Sequence, residues 1–218
     1  MSTLVLLALT MGCGTKKALS ELEDRNATCE QELTACNARV KTLEQQIAGS
    51  LLAKDLADKR LDAYRTLAKE LRDALGTDLS IEIRNGRMIV KLSTAILFDT
   101  GKATLRADGE KTLAKAAPAL KKDGERSYQI AGHTDNRPIS AKSTTFKDNW
   151  ELSTARALTA VRYLNKQGVK ADRLAAAGYG ENQPVAKNDT EENMQKNRRL
   201  EIVVMPKLNE IPTFPTDL

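Results

Sequence analysis

Between Leu19 and Leu75 the chain has no proline and a single glycine, Gly49, so nothing in this stretch breaks an α-helix. Its seam residues recur at alternating steps of three and four, through Leu19, Leu22, Asn26, Cys29, Leu33, Cys36, Val40, Leu43 and Ile47. That is the a/d seam of a heptad repeat, and it predicts a coiled coil. The frame continues with weaker occupants through Ser50, Lys54, Ala57, Leu61, Tyr64, Ala68, Leu71 and Leu75. Gly49 to Lys54 is its soft point, because glycine costs about 1 kcal/mol against alanine in a helix and a seam lysine packs poorly. A helix of about 55 residues spans about 80 Å, which makes the segment a spacer unless it folds back as a hairpin near Gly49.

Asn26 falls at an a position, where one buried amide favours a two-stranded, parallel register. Cys29 and Cys36 both fall at d positions. Seven residues of helix separate their Cα atoms by roughly 10 Å, beyond the ~7 Å reach of an intrachain disulfide. In an oxidising compartment they form interchain bridges or stay as small apolar seam residues.

Composition bounds the remainder. At 218 residues and 41% apolar content the chain can build one domain with a core plus an extended element. Its net charge of +5 suits anionic surroundings, but basic and acidic residues alternate through most of the sequence, which reads as a solvated surface. There is no nucleic-acid motif, zinc-ligand spacing or aromatic stacking platform, so neither nucleic acid nor a metal or other cofactor is expected. The opening MSTLVLLALTMGCG carries an apolar run too short to span a bilayer but of signal-peptide length. Its Gly12-Cys13 junction resembles a bacterial lipobox, although Thr10 stands where leucine is usual and no basic residue precedes the run. On that reading residues 1–12 are a signal peptide, Cys13 carries the lipid at the start of a linker over 13–18, and Gly14 fits outer-membrane sorting. An ordinary terminus with an incidental cysteine is the alternative.

Past Gly76, LSIEIR and RMIVKLS alternate apolar and polar residues about Asn85-Gly86, a two-residue hairpin signal. The segment ILFDTGKATLRADGEKTLAKAAPAL reads as a loop and then a helix with Leu105, Leu113 and Leu120 on its apolar positions. Tyr128 to Thr134 reads as a buried strand in which Gly132 permits close backbone approach. His133, the only histidine, reads as structural. A helix begins at Asp148 or Asn149, with Glu151 placed to complete a capping box. On it Trp150, Ala157, Val161 and Leu164 form one stripe, expected to face the sheet. Asn149, Leu152 and Arg156 form another about 100° away, beside the core. LAAAGYG reads as a short strand and turn, TEENMQKNR as a helix from Asp189 or Thr190, and RRLEIVVM as a closing strand with Leu200, Ile202 and Val204 on one face. The class is α+β, with helices packed on a mixed β-sheet. Residues 207–218, with two prolines, read as a flexible tail.

Within Tyr128 to Leu164 a carboxylate, Asp135, follows a buried strand, and a guanidinium, Arg156, lies early in an amphipathic helix. Two opposite charges on neighbouring elements suit a zwitterionic ligand, although charge and spacing alone equally describe a surface salt bridge worth ~0–1 kcal/mol. The ordered motifs GHTD, NWELSTARA, GYGENQPVAKNDT and NRRLEIVV resemble the OmpA-like (OmpA/MotB C-terminal) peptidoglycan-binding domain, over roughly Leu79 to Pro206. The resemblance implies an OmpA-like head at 77–206 after a coiled-coil arm at 19–75. It implies that Asp135 takes the ammonium and Arg156 the carboxylate of meso-diaminopimelate in the stem peptide. Thr134, Asn149, Leu152 and the loop of Phe98 and Asp99 would line the groove, with Asn197, Arg198 and Arg199 in support. The insertion from Asn136 to Lys147 is longer than in the shortest members and looks more like the MotB-like branch.

The expectation is thus a non-catalytic tether: a lipid anchor in the outer membrane, a dimeric spacer and a peptidoglycan-binding head facing the periplasm. A flagellar stator-like protein would need a transmembrane helix with an acidic residue, which the sequence lacks. A cell-wall hydrolase would need paired catalytic carboxylates or a zinc-ligand set, and neither is recognisable, so no enzymatic activity is expected.

Overall fold

The computed structural model describes residues 2–76, 79–122, 124–140 and 144–207, with side chains from residue 15 onward. The proposed signal peptide and the Cys13 side chain therefore lie outside the described side chains, and the tail from residue 208 lies outside the described residues. The chain divides into two compact units, Met1–Asp55 and Leu56–Leu218.

A helix, α1, runs over Ser2–Leu75 and continues unbroken through Gly49. The fold-back at that glycine does not occur. In the first unit Leu19, Leu22, Leu33, Val40, Leu43 and Ile47 are all exposed, so among the described residues of that unit nothing covers the seam. Cys29 and Cys36 are free and exposed on it.

In the second unit the seam changes its use. Tyr64, Leu67, Ala68, Leu71 and Leu75 are buried in the main core, together with residues of the sheet and the following helices. The compact unit accordingly begins at Leu56 rather than at residue 77. Apolar period predicts which face of a helix is covered, but not whether a second helix or a sheet covers it.

Strands β1 (Leu79–Arg84) and β2 (Arg87–Ser93) form the expected hairpin, and Asn85 and Gly86 both take the positive φ that a two-residue turn requires. Three further strands, β3 (Tyr128–Gly132), β4 (Leu174–Gly178) and β5 (Arg199–Val204), complete a mixed sheet of order β1-β2-β5-β3-β4. Only β3 and β4 pair in parallel. The short α2 (Thr94–Leu97), then α3 (Ala107–Lys122), α4 (Asn149–Lys166) and α5 (Glu191–Asn197) supply the helices. The α+β class and mixed sheet follow the sequence reading.

One face of the sheet carries Val90, Leu92, Tyr128, Ile130, Leu200, Ile202 and Val204. Against it pack the end of α1, Leu97, Leu113 and Leu120, and Ala157, Ala160 and Leu164 of α4. Leu105 precedes α3 instead of lying on it, and forms a bridge with Phe98. The opposite face holds a small cluster of Ile89, Ala131 and Val203, and beside it a buried ion pair, Arg199 Nε to Glu201 Oε1 at 2.7 Å.

Helix α4 is fixed at its start by Asp148, which accepts from the Glu151 N–H at 2.8 Å. Glu151 reaches back to the Lys147 N–H at 2.8 Å, one residue earlier than a standard capping box. Strand β3 ends against this helix at a point where a side chain on Gly132 would overlap the Ser153 carbonyl. Gly178 of β4 sits equally close to Thr154. These two glycines bring the helix against the strand ends. Trp150 lies a turn before these contacts, beyond the strands, and is 51% exposed rather than facing the sheet.

Candidate functional site

At the end of β3 the chain leaves the sheet through His133, Thr134 and Asp135, all buried. The Thr134 N–H donates to Gly180 O at 2.9 Å, and Gly180 N donates to Ser153 Oγ at 3.0 Å, so this exit is tied both to the loop after β4 and to α4. The Thr134 hydroxyl is buried and has no hydrogen-bond partner among the described residues. A buried hydroxyl without a partner is costly and suits a ligand group.

Asn149 and Leu152 are both buried. The Asn149 amide donates to Arg137 O at 3.0 Å and to Asp135 O at 3.4 Å, so the first residue of α4 holds the Asp135 loop by its backbone.

Arg156 is only 5% exposed, although its helical phase had placed it beside the core. The loop after α2 covers it. Arg156 Nε donates to Lys102 O at 2.8 Å and Nη2 to Asp99 O at 3.2 Å, and its guanidinium lies 5.4 Å from the centre of the buried Phe98 ring. Gly101, with φ of 69°, allows the turn that presents these carbonyls. Phe98 and Asp99 thus meet Arg156 through a ring face and a carbonyl, while the Asp99 carboxylate pairs with Lys102 and Arg106. No carboxylate among the described residues forms an ion pair with Arg156. Burial, only partly offset by the field of Asp135 and reinforced by that of Arg198, lowers its pKa to about 10. A buried cation satisfied only by neutral acceptors favours an anion at its remaining nitrogen, Nη1.

Asp135, also 5% exposed, is filled by other cations. Its Oδ1 accepts from the Arg137 N–H at 3.1 Å, and its Oδ2 from Arg137 Nε at 3.0 Å and from Arg198 Nη1 at 2.6 Å. Burial pushes the Asp135 carboxyl up, and the hydrogen bonds from Arg198 and Arg137 overcome this and hold it below its ordinary value. The simple Asp135 to Arg156 salt bridge that charge and spacing allowed is not formed; each side chain is held by other groups.

Of the supporting residues, Arg198 reaches Asp135, whereas Arg199 turns to the other face of the sheet. Consecutive residues at the start of a strand point oppositely, which separates their roles. Asn197 is fully buried, accepting from the Val185 and Ala186 N–H groups and donating to Ala186 O and Asn188 Oδ1. Glu191, on the first turn of α5, pairs with both Arg137 and Arg198. Arg137 and Glu191 were absent from the sequence reading. The spacing of Arg137 two residues after an Asp is compatible with an Asx-turn, but Glu191 is 54 residues from Arg137 and leaves no local signal. His133 stacks on Tyr179 with ring centres 5.1 Å apart, and its Nε2 is 3.6 Å from Glu201, on the face away from the helices. Among the described residues no group of His, Cys, Asp or Glu could hold a metal ion, and no helix is long and apolar enough to cross a membrane.

Comparison with known proteins agrees with this architecture. The chain is 36% identical over 140 residues to Motility protein B of Bacillus subtilis, a match covering 64% of this chain and 51% of that protein. It is 34% identical over 139 residues to the Escherichia coli protein named "Probable lipoprotein YiaD", covering 63% and 60%. The chain thus spans half to three fifths of the length of these curated relatives. Among solved structures, the cell wall anchor of the T6SS from Pseudomonas aeruginosa superimposes with a TM-score of 0.59 at 32% identity, over 65% of this chain and 97% of that one. The OmpA family model matches residues 97–198, a span that contains Phe98, the Asp135 loop, Arg156 and Arg198. Residues 97–198 are thus an OmpA-family domain.

Proposed function

We propose that the head is a non-catalytic peptidoglycan-binding module. In this reading it clamps the zwitterionic end of meso-diaminopimelate in the stem peptide, between Asp135 for the ammonium and Arg156 for the carboxylate. The observation that carries the reading is Arg156 itself: a buried guanidinium with no carboxylate partner, beside a buried carboxylate. The unpartnered Thr134 hydroxyl supports it, because it offers one further hydrogen bond in the same place. The wall-anchor neighbour supports it at the level of the fold. Asn149, Leu152, Phe98 and Asp99 shape the site rather than carry its charge.

The same reading makes the protein a tether. Cys13 carries the lipid, the outer membrane holds that lipid, and the exposed heptad seam of the first unit pairs two chains in parallel. Residues 1–12 are the leader, 13–18 a linker, and the head faces the periplasm. The likeness to a protein named a probable lipoprotein supports the anchor. A second reading, a MotB-type wall anchor of a motility apparatus, draws on the 36% identity to Motility protein B. Membrane fractionation with labelled fatty acid separates the two, since only the tether incorporates label at Cys13 and sediments with outer membrane.

Co-sedimentation with purified sacculi tests the head. The expected result is saturable binding with no release of muropeptides. Muropeptide release would make the protein a hydrolase, and absence of binding would remove the wall-binding reading.

A further inference from the structure

Four side chains close a ring beside Arg156. Asp135 Oδ2 meets Arg137 Nη2 at 2.9 Å, and Arg137 Nη1 meets Glu191 Oε2 at 3.1 Å. Glu191 Oε1 in turn accepts from Arg198 Nη2, and Arg198 Nη1 returns to Asp135 Oδ2 at 2.6 Å. Asp135 Oδ2 therefore carries both guanidiniums while Oδ1 accepts only the Arg137 backbone N–H, so a ligand ammonium that approaches the carboxylate meets the charge of Arg137 already in place while the ring is closed.

The two arginines differ in how firmly they are held. The Arg198 side chain is 23% exposed and its backbone carbonyl accepts both the Thr94 N–H and the Thr94 hydroxyl, which pins it to the start of α2. The Arg137 side chain is 53% exposed and, among the described residues, is tied down only through Asp135 and the exposed Glu191. Releasing Arg137 costs least, because its guanidinium can return to water while Arg198 continues to balance the Asp135 charge.

We propose that Arg137 is a built-in competitor for the ammonium position, an internal cation that a zwitterionic ligand must displace from Asp135. This rests on the Asp135 and Arg156 reading of the site. It makes Arg137 a specificity-determining residue. A simple amine gains only what Arg137 gives up, whereas a ligand that also places a carboxylate on Arg156 gains a second contact. Ligands with both charges are selected over those with one. The population with Arg137 on Asp135 also lowers apparent affinity by the fraction of molecules that are closed.

The test is a calorimetric titration of meso-diaminopimelate into the full-length wild type, Arg137→Ala, Glu191→Gln and Asp135→Asn, each checked by thermal unfolding. Arg137→Ala is expected to bind about five- to thirtyfold more tightly than wild type, the factor set by a closure of about 1 to 2 kcal/mol. Glu191→Gln, which loosens Arg137 without removing it, moves the same way by less, and Asp135→Asn abolishes binding. Equal or weaker binding by Arg137→Ala, with Asp135→Asn still abolishing it, overturns the competitor role and leaves the clamp standing. Binding by wild type that Asp135→Asn leaves unchanged overturns the clamp itself, and the competitor with it.

Discussion

Replacing Glu201 with glutamine isolates the ion cluster on the sheet face opposite the helices. Glu201 lies on the central strand β5 and accepts from Arg199 at 2.7 Å and from Arg84, and its carboxylate is 2% exposed. Burial pushes its carboxyl up, but the neighbouring His133 and Arg199 together overcome this and lower its pKa from an ordinary 4.5 to about 2. At about 1.4 kcal/mol for each tenfold difference in proton affinity, the carboxylate contributes on the order of 3 kcal/mol at neutral pH. Breaking one partner out of a buried pair costs a similar ~3–5 kcal/mol, because the Arg199 cation, 3% exposed, cannot reach water. Arg84 is 35% exposed and can, so the loss is chiefly that of Arg199. For a chain of this size each kcal/mol moves the midpoint by roughly 2–4 °C, so Glu201→Gln is expected to melt about 6–12 °C below wild type at pH 7. The pH dependence has a fixed sign. The folded pKa is depressed, so the contribution is complete above pH 4.5 and is lost as pH falls from 4.5 through about 2. Scanning calorimetry from pH 7 to pH 3 should therefore find the gap between wild type and variant narrowing below pH 4.5. A gap at pH 7 under about 2 °C, or one that stays constant to pH 3, would refute the argument.

Other substitutions reach different parts of the structure. Gly132→Ala places a methyl group on the Ser153 carbonyl and is expected to cost several kcal/mol in a denaturant titration, whereas Gly124→Ala meets no neighbour and should be nearly neutral. Asn197→Ala strands two backbone N–H groups of the 185–186 loop and one carbonyl, and should cost about 2–4 kcal/mol in the same assay. If the exposed seam pairs two chains, light scattering of the full-length protein gives a dimer and Leu33→Asp with Val40→Asp gives a monomer; a wild-type monomer at every concentration sinks the pairing. Non-reducing electrophoresis then tells whether Cys29 and Cys36 bridge such a dimer or stay as thiols.

Much of the head was legible because its signals are local. Asn85-Gly86 fixed the hairpin, Asp148 the start of α4, and the alternation of Leu200, Ile202 and Val204 the core face of β5. Gly132 was read correctly as a point of close approach. What escaped depends on chain segments far away in sequence. The heptad frame runs smoothly through Tyr64 and Leu71, yet there the covering partner is the sheet, which periodicity cannot reveal. Trp150 has the phase of the core stripe but lies past the last residues of β3 and β4, so it is left half exposed. Phase likewise set Arg156 beside the core, and a loop more than fifty residues earlier buries it. The charged residues were identified individually, but their pairing was not, because Asp135 meets Arg198 and Glu191 meets Arg137 only once α5 is folded against the end of β3.

The most direct measurement is titration of a soluble diaminopimelate-containing muropeptide into wild type, Asp135→Asn and Arg156→Ala, with folding of each verified by circular dichroism. The clamp requires saturable binding by wild type, with affinity reduced at least about tenfold in each variant, the loss expected when one partner of a buried charge-assisted contact is removed. Binding by both folded variants at wild-type affinity would contradict the assignment of Asp135 and Arg156 as the ligand site.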